Sequence, residues 1–126
     1  MHVLLDTNAL LWLLGGDERL GPDARRSVEA AESLAVSVAS LWEIAIKVSI
    51  GKLGPVPGLY ATVRDLGLDR LDITDAHLAS VEALPWHHRD PFDRLLICQA
   101  LTAGLSVLTA DDAFAAYGVP VLDARL

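Results

Sequence analysis

Apolar residues come in short bursts broken by polar turns, and the bursts switch between the spacing of buried strands and that of amphipathic helices. Val3-Leu4-Leu5 is an unbroken apolar run that suits a strand covered on both faces, and it stops at Asp6-Thr7-Asn8, all turn and cap formers. A helix is predicted next over Ala9–Leu14, closed by Gly15-Gly16. Pro22-Asp23 opens a second helix running to about Glu32, and Leu34–Val38 reads as the second strand. Ser40-Leu41-Trp42-Glu43 fits a capping box, so a third helix is predicted from about Leu41 to Ile50, with 41, 44, 45 and 48 on its apolar face. Gly54–Gly58 is a loop. A fourth helix (Leu59–Gly67), a short strand (Leu71–Ile73) and a helix capped by Thr74 or Asp75 and reaching Leu84 follow. Asp90-Pro91-Phe92-Asp93 opens a long helix that ends at Gly104. Leu105–Leu108 is the next strand, Thr109–Ala116 a short helix, and Val119–Leu122 an edge strand that tolerates Pro120.

Strands alternating with helices predict an α/β fold with a mainly parallel sheet of four to five strands and right-handed crossovers. The 126 residues show no linker, repeat or change of composition, so a single domain over 1–126 is expected. A 52% hydrophobic content supplies a core, yet no apolar stretch is long enough for a membrane span and no leader pattern is visible, which points to the cytoplasm. The only cysteine, Cys98, lies in an apolar helical run and reads as a buried, inert thiol. The net charge of −7 argues against a surface that coats nucleic acid. It leaves open an enzyme acting on phosphates, because bound cations can reverse the local field.

Four acidic residues occupy comparable places: Asp6 after the first strand, Glu43 in the first turn of the helix after the second, Asp93 in the first turn of the helix before the fourth, and Asp111 after the fourth. All four can reach the carboxyl-end rim of a parallel sheet, where such folds bind ligands. Singly, each reads as a helix cap or dipole partner. Together they would repel, and hard divalent cations such as Mg²⁺ or Mn²⁺ supply the missing charge through oxygen ligands. No Cys/His cluster has zinc spacing. A carboxylate cage of this kind suits phosphoryl chemistry.

Four stretches, in this order and spacing, resemble PIN-domain ribonucleases, and specifically the VapC toxins of bacterial and archaeal toxin–antitoxin pairs. They are Leu4–Trp12, Ser40–Lys47 with Gly51-Lys52-Leu53, His88–Arg94 and Leu108–Asp111. The resemblance spans nearly the whole chain. It implies a three-layer α/β/α sandwich and an Mg²⁺- or Mn²⁺-dependent endoribonuclease whose metal ligands match Asp6, Glu43, Asp93 and Asp111. It also implies cleavage leaving a 5′-phosphate and a 3′-hydroxyl, a homodimer, and a cognate antitoxin that lays a C-terminal segment across the site.

Around that set, Asp90 is expected to be a structural cap and Asp112 to be solvated or to support the cage. Thr7, Asn8 and Thr109 are expected to orient a ligand or to cap. Lys47, four residues after Glu43, is either its ion-pair partner or a phosphate contact. Arg89 and Arg94 either contact RNA phosphate or form salt bridges within the fold. His87-His88 is expected to be a solvated or substrate-side loop pair and not a pair of ligands. Trp12 and Trp42 are assigned to the core or a dimer interface, and Trp86 to a buried position, with base stacking as its alternative. A response-regulator receiver or a haloacid-type phosphatase fits poorly, because only one Asp follows the first strand and position 8 is Asn. The non-enzymatic alternative is a catalytically silent PIN-like module that binds RNA or protein; the intact acidic set favours catalysis.

Overall fold

The computed structural model describes residues 1–126. Its elements are β1 (His2–Leu5), α1 (Thr7–Gly15), α2 (Pro22–Ala30), β2 (Ser33–Ser37), α3 (Val38–Ser49), α4 (Leu59–Asp65), β3 (Asp69–Leu71), α5 (Asp75–Ala83), α6 (Pro91–Ala103), β4 (Ser106–Thr109), a 3-10 helix (Asp112–Tyr117) and β5 (Val121–Asp123). The five strands form one sheet in the order β3-β2-β1-β4-β5. Every neighbouring pair is parallel. No helix is long and apolar enough to cross a membrane.

Pleating divides the core into two halves. Val3, Leu5, Val36 and Leu108 face a layer built on Leu10, Leu41, Ile44, Leu59 and Val63, contributed by α1, α3 and α4. Leu4, Ala35 and Val107 face the opposite layer, built on Leu96, Ile97, Ala100 and Phe114 from α6 and the 3-10 helix. The result is the expected three-layer sandwich, with each central strand apolar on both sides. Cys98 is buried in the second layer, and burial raises its thiol pKa.

The chain winds outward from β1 through β2 to β3, then crosses to the far side of β1 to form β4 and β5. The direction of winding therefore reverses between β1 and β4. Their carboxyl ends flank the crevice where ligands bind in open parallel sheets.

Several boundaries differ from the sequence expectation. The third helix starts at Val38, a turn earlier than predicted, because Ser37 caps it by accepting from the Ala39 amide at 3.1 Å. The capping box read at Ser40 and Glu43 is absent: Ser40 is buried inside the helix, and Glu43 lies in its second turn. The first helix begins at Thr7, with Asp6 as its cap. The third strand is Asp69–Leu71 and not 71–73, leaving Thr74 free to cap α5 in a reciprocal box with His77. Thr109 ends β4, so the short helix begins only at Asp112. Pro120 stands just before β5, and its carbonyl accepts from the Val107 amide at 2.8 Å.

The C-terminal residues are tied to the start of α2. The Gly21 amide donates to the Ala124 carbonyl at 2.9 Å and the Asp23 amide to the Leu126 carbonyl at 2.7 Å. A Cβ on Gly21 would collide with the backbone of Arg125 and Leu126. Gly21→Ala is therefore expected to push the C-terminal segment off α2 and to lower stability by about 2 kcal/mol. Chemical denaturation with hydrogen exchange at the Asp23 amide checks both effects.

Candidate active site

Asp6, Glu43, Asp93 and Asp111, together with Thr7, Asn8, Ala110 and Asp112, line one cleft of about 430 Å³ at the β1/β4 crevice. Four carboxylates from four segments of the chain thus converge where the sheet's winding reverses.

Each is held by its own partner. Asp6 follows the central strand; its Oδ1 accepts the Ala9 amide at 2.8 Å as the cap of α1, and its Oδ2 accepts the Thr109 hydroxyl at 2.5 Å. Thr109 sits one strand over, because β1 and β4 are paired and the Asp6 amide continues that ladder to Leu108 at 3.1 Å. Glu43 is buried; the Thr7 hydroxyl donates to its Oε1 at 2.7 Å and Lys47 Nζ to its Oε2 at 2.7 Å. Asp93 stands in the first turn of α6, and His88 Nε2 is 2.8 Å from its Oδ2. Asp111 caps the 3-10 helix through the Ala113 amide at 2.9 Å, and its Oδ2 lies 2.9 Å from the same imidazole nitrogen.

The electrostatics follow from burial. Desolvation raises the pKa of Asp6, against hydrogen bonds from Thr109 and Ala9 that lower it. Desolvation, then the neighbouring Asp90 carboxylate, push Asp93 up to about 7, with the His88 hydrogen bond opposing. The hydrogen bond to Glu43 raises the pKa of Lys47, so its ammonium is charged across the physiological range.

The donor set fits a hard divalent cation. It consists of carboxylate and hydroxyl oxygens with no thiol, in an open polar cleft, and its buried acids disfavour ionisation unless positive charge is added. His88, Asp93 and Asp111 also bring one potential ligand atom each within 4.8 Å of one another.

Other residues sort as follows. Asp90 caps α6 through the Asp93 amide at 2.9 Å, as expected. Asp112 is exposed and pairs with Arg125 at 2.9 Å, which leaves it at the cleft edge. Lys47 takes the ion-pair role. Arg94 takes neither of its expected roles: it is buried, and its guanidinium donates to the carbonyls of Val81, Leu84, Pro85 and His88, which ties the end of α5 and the following loop to α6. Trp86 is 76% exposed, a correction to its expected burial, with one ring face stacked on Arg94 at 3.8 Å. Trp42 is also largely exposed and meets the Phe92 edge at 5.3 Å, so it is not a core residue. Trp12 is partly buried against the first core layer.

His88 is the site residue that sequence reasoning missed. Grouping it with His87 as a loop pair hid its position just before the Asp90 cap. An approach loop to a helix N-terminus can turn a side chain over the first helical turn, and His88 does so above Asp93.

A family model described as the PIN domain matches residues 3–120. Ribonuclease VapC22 of Mycobacterium tuberculosis is 32% identical, over 86% of this chain and 86% of its own. The VapBC2 structure from Rickettsia felis, bound to a DNA fragment from its promoter, superposes with a TM-score of 0.70 at 13% identity, covering 97% of this chain and 98% of that one. VapBC-1 from nontypeable Haemophilus influenzae gives a TM-score of 0.69 at 16% identity over 100% of both chains. These two structures share the fold.

Two expectations follow from the geometry. Burial pushes the Asp93 carboxyl up to about 7 from the ordinary value of about 4, so between those values the native state binds more protons than the unfolded chain. Metal-free stability should therefore fall as pH rises from about 4 to 7. Asp93→Asn should remove that slope and raise the melting temperature at pH 8, by about 4 °C for each kcal/mol of relieved penalty. Thermal melts of both proteins in chelator across this range check the sign. Separately, Arg94→Lys cannot reproduce the four-carbonyl fork and is expected to cost about 3 kcal/mol, measured by denaturant titration.

Proposed function

The chain belongs to the PIN-domain family, and from that premise we propose that it is a divalent-metal-dependent endoribonuclease, the toxin of a toxin–antitoxin pair. The observation that carries this reading is the convergence of Asp6, Glu43, Asp93 and Asp111 on one polar cleft at the β1/β4 crevice. Similarity to a protein named as a ribonuclease supports RNA as the substrate, and the VapBC structures support a cognate antitoxin as the partner.

Asp6 and Asp93 are the principal ligands for Mg²⁺ or Mn²⁺, and Glu43 and Asp111 complete the set directly or through water. When bound, the cation supplies positive charge at the scissile phosphate and acidifies water in the cleft. The chain's own groups set the geometry. Thr109 and the Ala9 amide fix both oxygens of Asp6, so its carboxylate does not rotate on binding. Thr7 and Lys47 fix Glu43 from opposite sides, and the Lys47 ammonium offsets part of its charge. The open cleft admits a phosphodiester backbone, while the acidic rim repels it until cations are present. The exposed Trp42 and its Phe92 neighbour give a homodimer or an antitoxin an apolar surface beside α3 and α6.

Incubation of the purified protein with a mixed RNA pool, with and without Mg²⁺ or Mn²⁺, tests the proposal. Wild type is expected to give metal-dependent cuts with 5′-phosphate ends. Asp6→Asn and Asp93→Asn, folded by circular dichroism, should lose at least about 100-fold in rate, the scale of removing a preorganised electrostatic group. Equal cutting by wild type and variants would assign the activity to a contaminant. Absence of cutting together with no calorimetric Mn²⁺ binding would replace the enzyme by a non-catalytic binding module.

A further inference from the structure

His88 stands beside the cleft, against two of its acids. Its Nε2 lies 2.8 Å from Asp93 Oδ2 and 2.9 Å from Asp111 Oδ2. Those distances suit a third ligand to a shared ion, and they equally suit an N–H donor to the carboxylates. The other ring nitrogen separates the two. His88 Nδ1 accepts the Arg89 backbone amide at 3.0 Å, with the Asp90 amide 3.5 Å away. A nitrogen whose lone pair accepts an N–H carries no proton, so the ring proton is on Nε2. A histidine that ligates through Nε2 has the opposite tautomer, with Nδ1–H donated to a carbonyl or carboxylate.

The backbone that carries the ring is held on both sides. Its backbone amide donates to the Tyr117 hydroxyl at 2.9 Å, and Tyr117 in turn donates to the Pro85 carbonyl at 2.7 Å. The His88 carbonyl accepts from Arg94 at 3.2 Å, and the ring meets Phe114 edge-on at 6.2 Å. The other tautomer, with the proton on Nδ1, would aim an N–H at the Arg89 amide N–H and a bare lone pair at Asp111 Oδ2, both repulsive.

From this juxtaposition we infer that His88 is a positioning residue: its Nε2–H donates to Asp93, draws Asp111 against it, and so sets the spacing of two carboxylates without itself holding the ion. The inference rests on the proposed metal site for its functional meaning, and on hydrogen-bond geometry for the tautomer. It explains how two acids from separate segments, α6 and the turn after β4, stay in register when no cation bridges them.

Long-range ¹H–¹⁵N correlation on ¹⁵N-histidine-labelled, metal-free protein reads the tautomer directly. The proton is expected on Nε2, and finding it on Nδ1 overturns the inference whatever the metal reading. Mn²⁺ electron spin-echo spectra of the loaded protein are expected to show no directly bound nitrogen, and a His88-dependent nitrogen coupling would overturn it. Calorimetric Mn²⁺ affinity should fall between about tenfold and a hundredfold in His88→Ala, the usual effect of losing an outer partner of a metal ligand. His88→Gln, whose amide N–H can replace Nε2–H, should restore it to within about threefold, and failure of that rescue in a folded variant would count against the hydrogen-bond role. If Mn²⁺ does not bind to wild type at all, the metal-dependent proposal fails, while the tautomer still decides whether His88 is a donor to Asp93.

Discussion

Every strand of the sheet points the same way, and the site depends on that constraint. Parallel strands need crossover helices, and the helices that follow the central strands start at the rim where those strands end. The residues that end or closely follow β1, β2 and β4 therefore lie along one edge, where the unpaired amides of each helix start must be satisfied. Asp6, Ser37 and Asp111 all do so through side-chain oxygens. The rim is rich in cap residues for structural reasons before any chemistry is asked of it.

Capping and ligation are for this reason not competing descriptions of Asp6 and Asp111. A carboxylate has two oxygens and several lone pairs, and the cap uses only part of that capacity. Asp6 spends one oxygen on the Ala9 amide and also faces the cleft; Asp111 does the same with Ala113. The helix N-terminus adds partial positive charge that makes a half-buried acid tolerable. Asp93, in the first turn of α6 with Asp90 as its cap, has the same dipole support, yet desolvation and Asp90 still push its pKa up to about 7. Burial outweighs the dipole there, so the carboxylate set is strained with respect to its own charge.

Most of the architecture is legible in the sequence because its determinants are local. Apolar runs bounded by caps and glycines fix the alternation, and alternation fixes the parallel sheet. The misplacements come where two local signals overlap. Ser37 and Ser40 both qualify as caps, and the second is backed by Glu43 three residues on; burial of Leu41 and Ile44 sets the helix in a frame that Ser37 starts. Glu43 is then released from the helix terminus to face the cleft. Arg94, Trp86 and His88 differ in their surroundings from the sequence expectation for a common reason. Their partners are carbonyls, a hydroxyl, a guanidinium and acids from several segments, a pattern that carries no periodicity. Arg94 looks like a surface cation in a motif of charged residues, but its four acceptors lie between Val81 and His88 and exist only once α5 docks on α6.

The offset of negative charge is distributed, with two partners on Glu43 and one shared by Asp93 and Asp111. Thr109 holds Asp6, Thr7 and Lys47 hold Glu43, and His88 holds Asp93 and lies against Asp111. Among these partners Lys47 is the one fixed cation, and it is committed to a single carboxylate. A protein of net charge −7 with that arrangement has no surplus positive charge at the cleft to attract a polyanion. If the proposed function holds, approach of RNA and assembly of the site draw on the same added cations. Substrate affinity is then coupled to metal occupancy, and raising monovalent salt weakens it far less than it weakens a basic nucleic-acid surface, whose affinity comes from fixed lysines and arginines. The structural reason lies in Glu43: buried and fastened from both sides, it holds its position and keeps the Lys47 ammonium from meeting a phosphate.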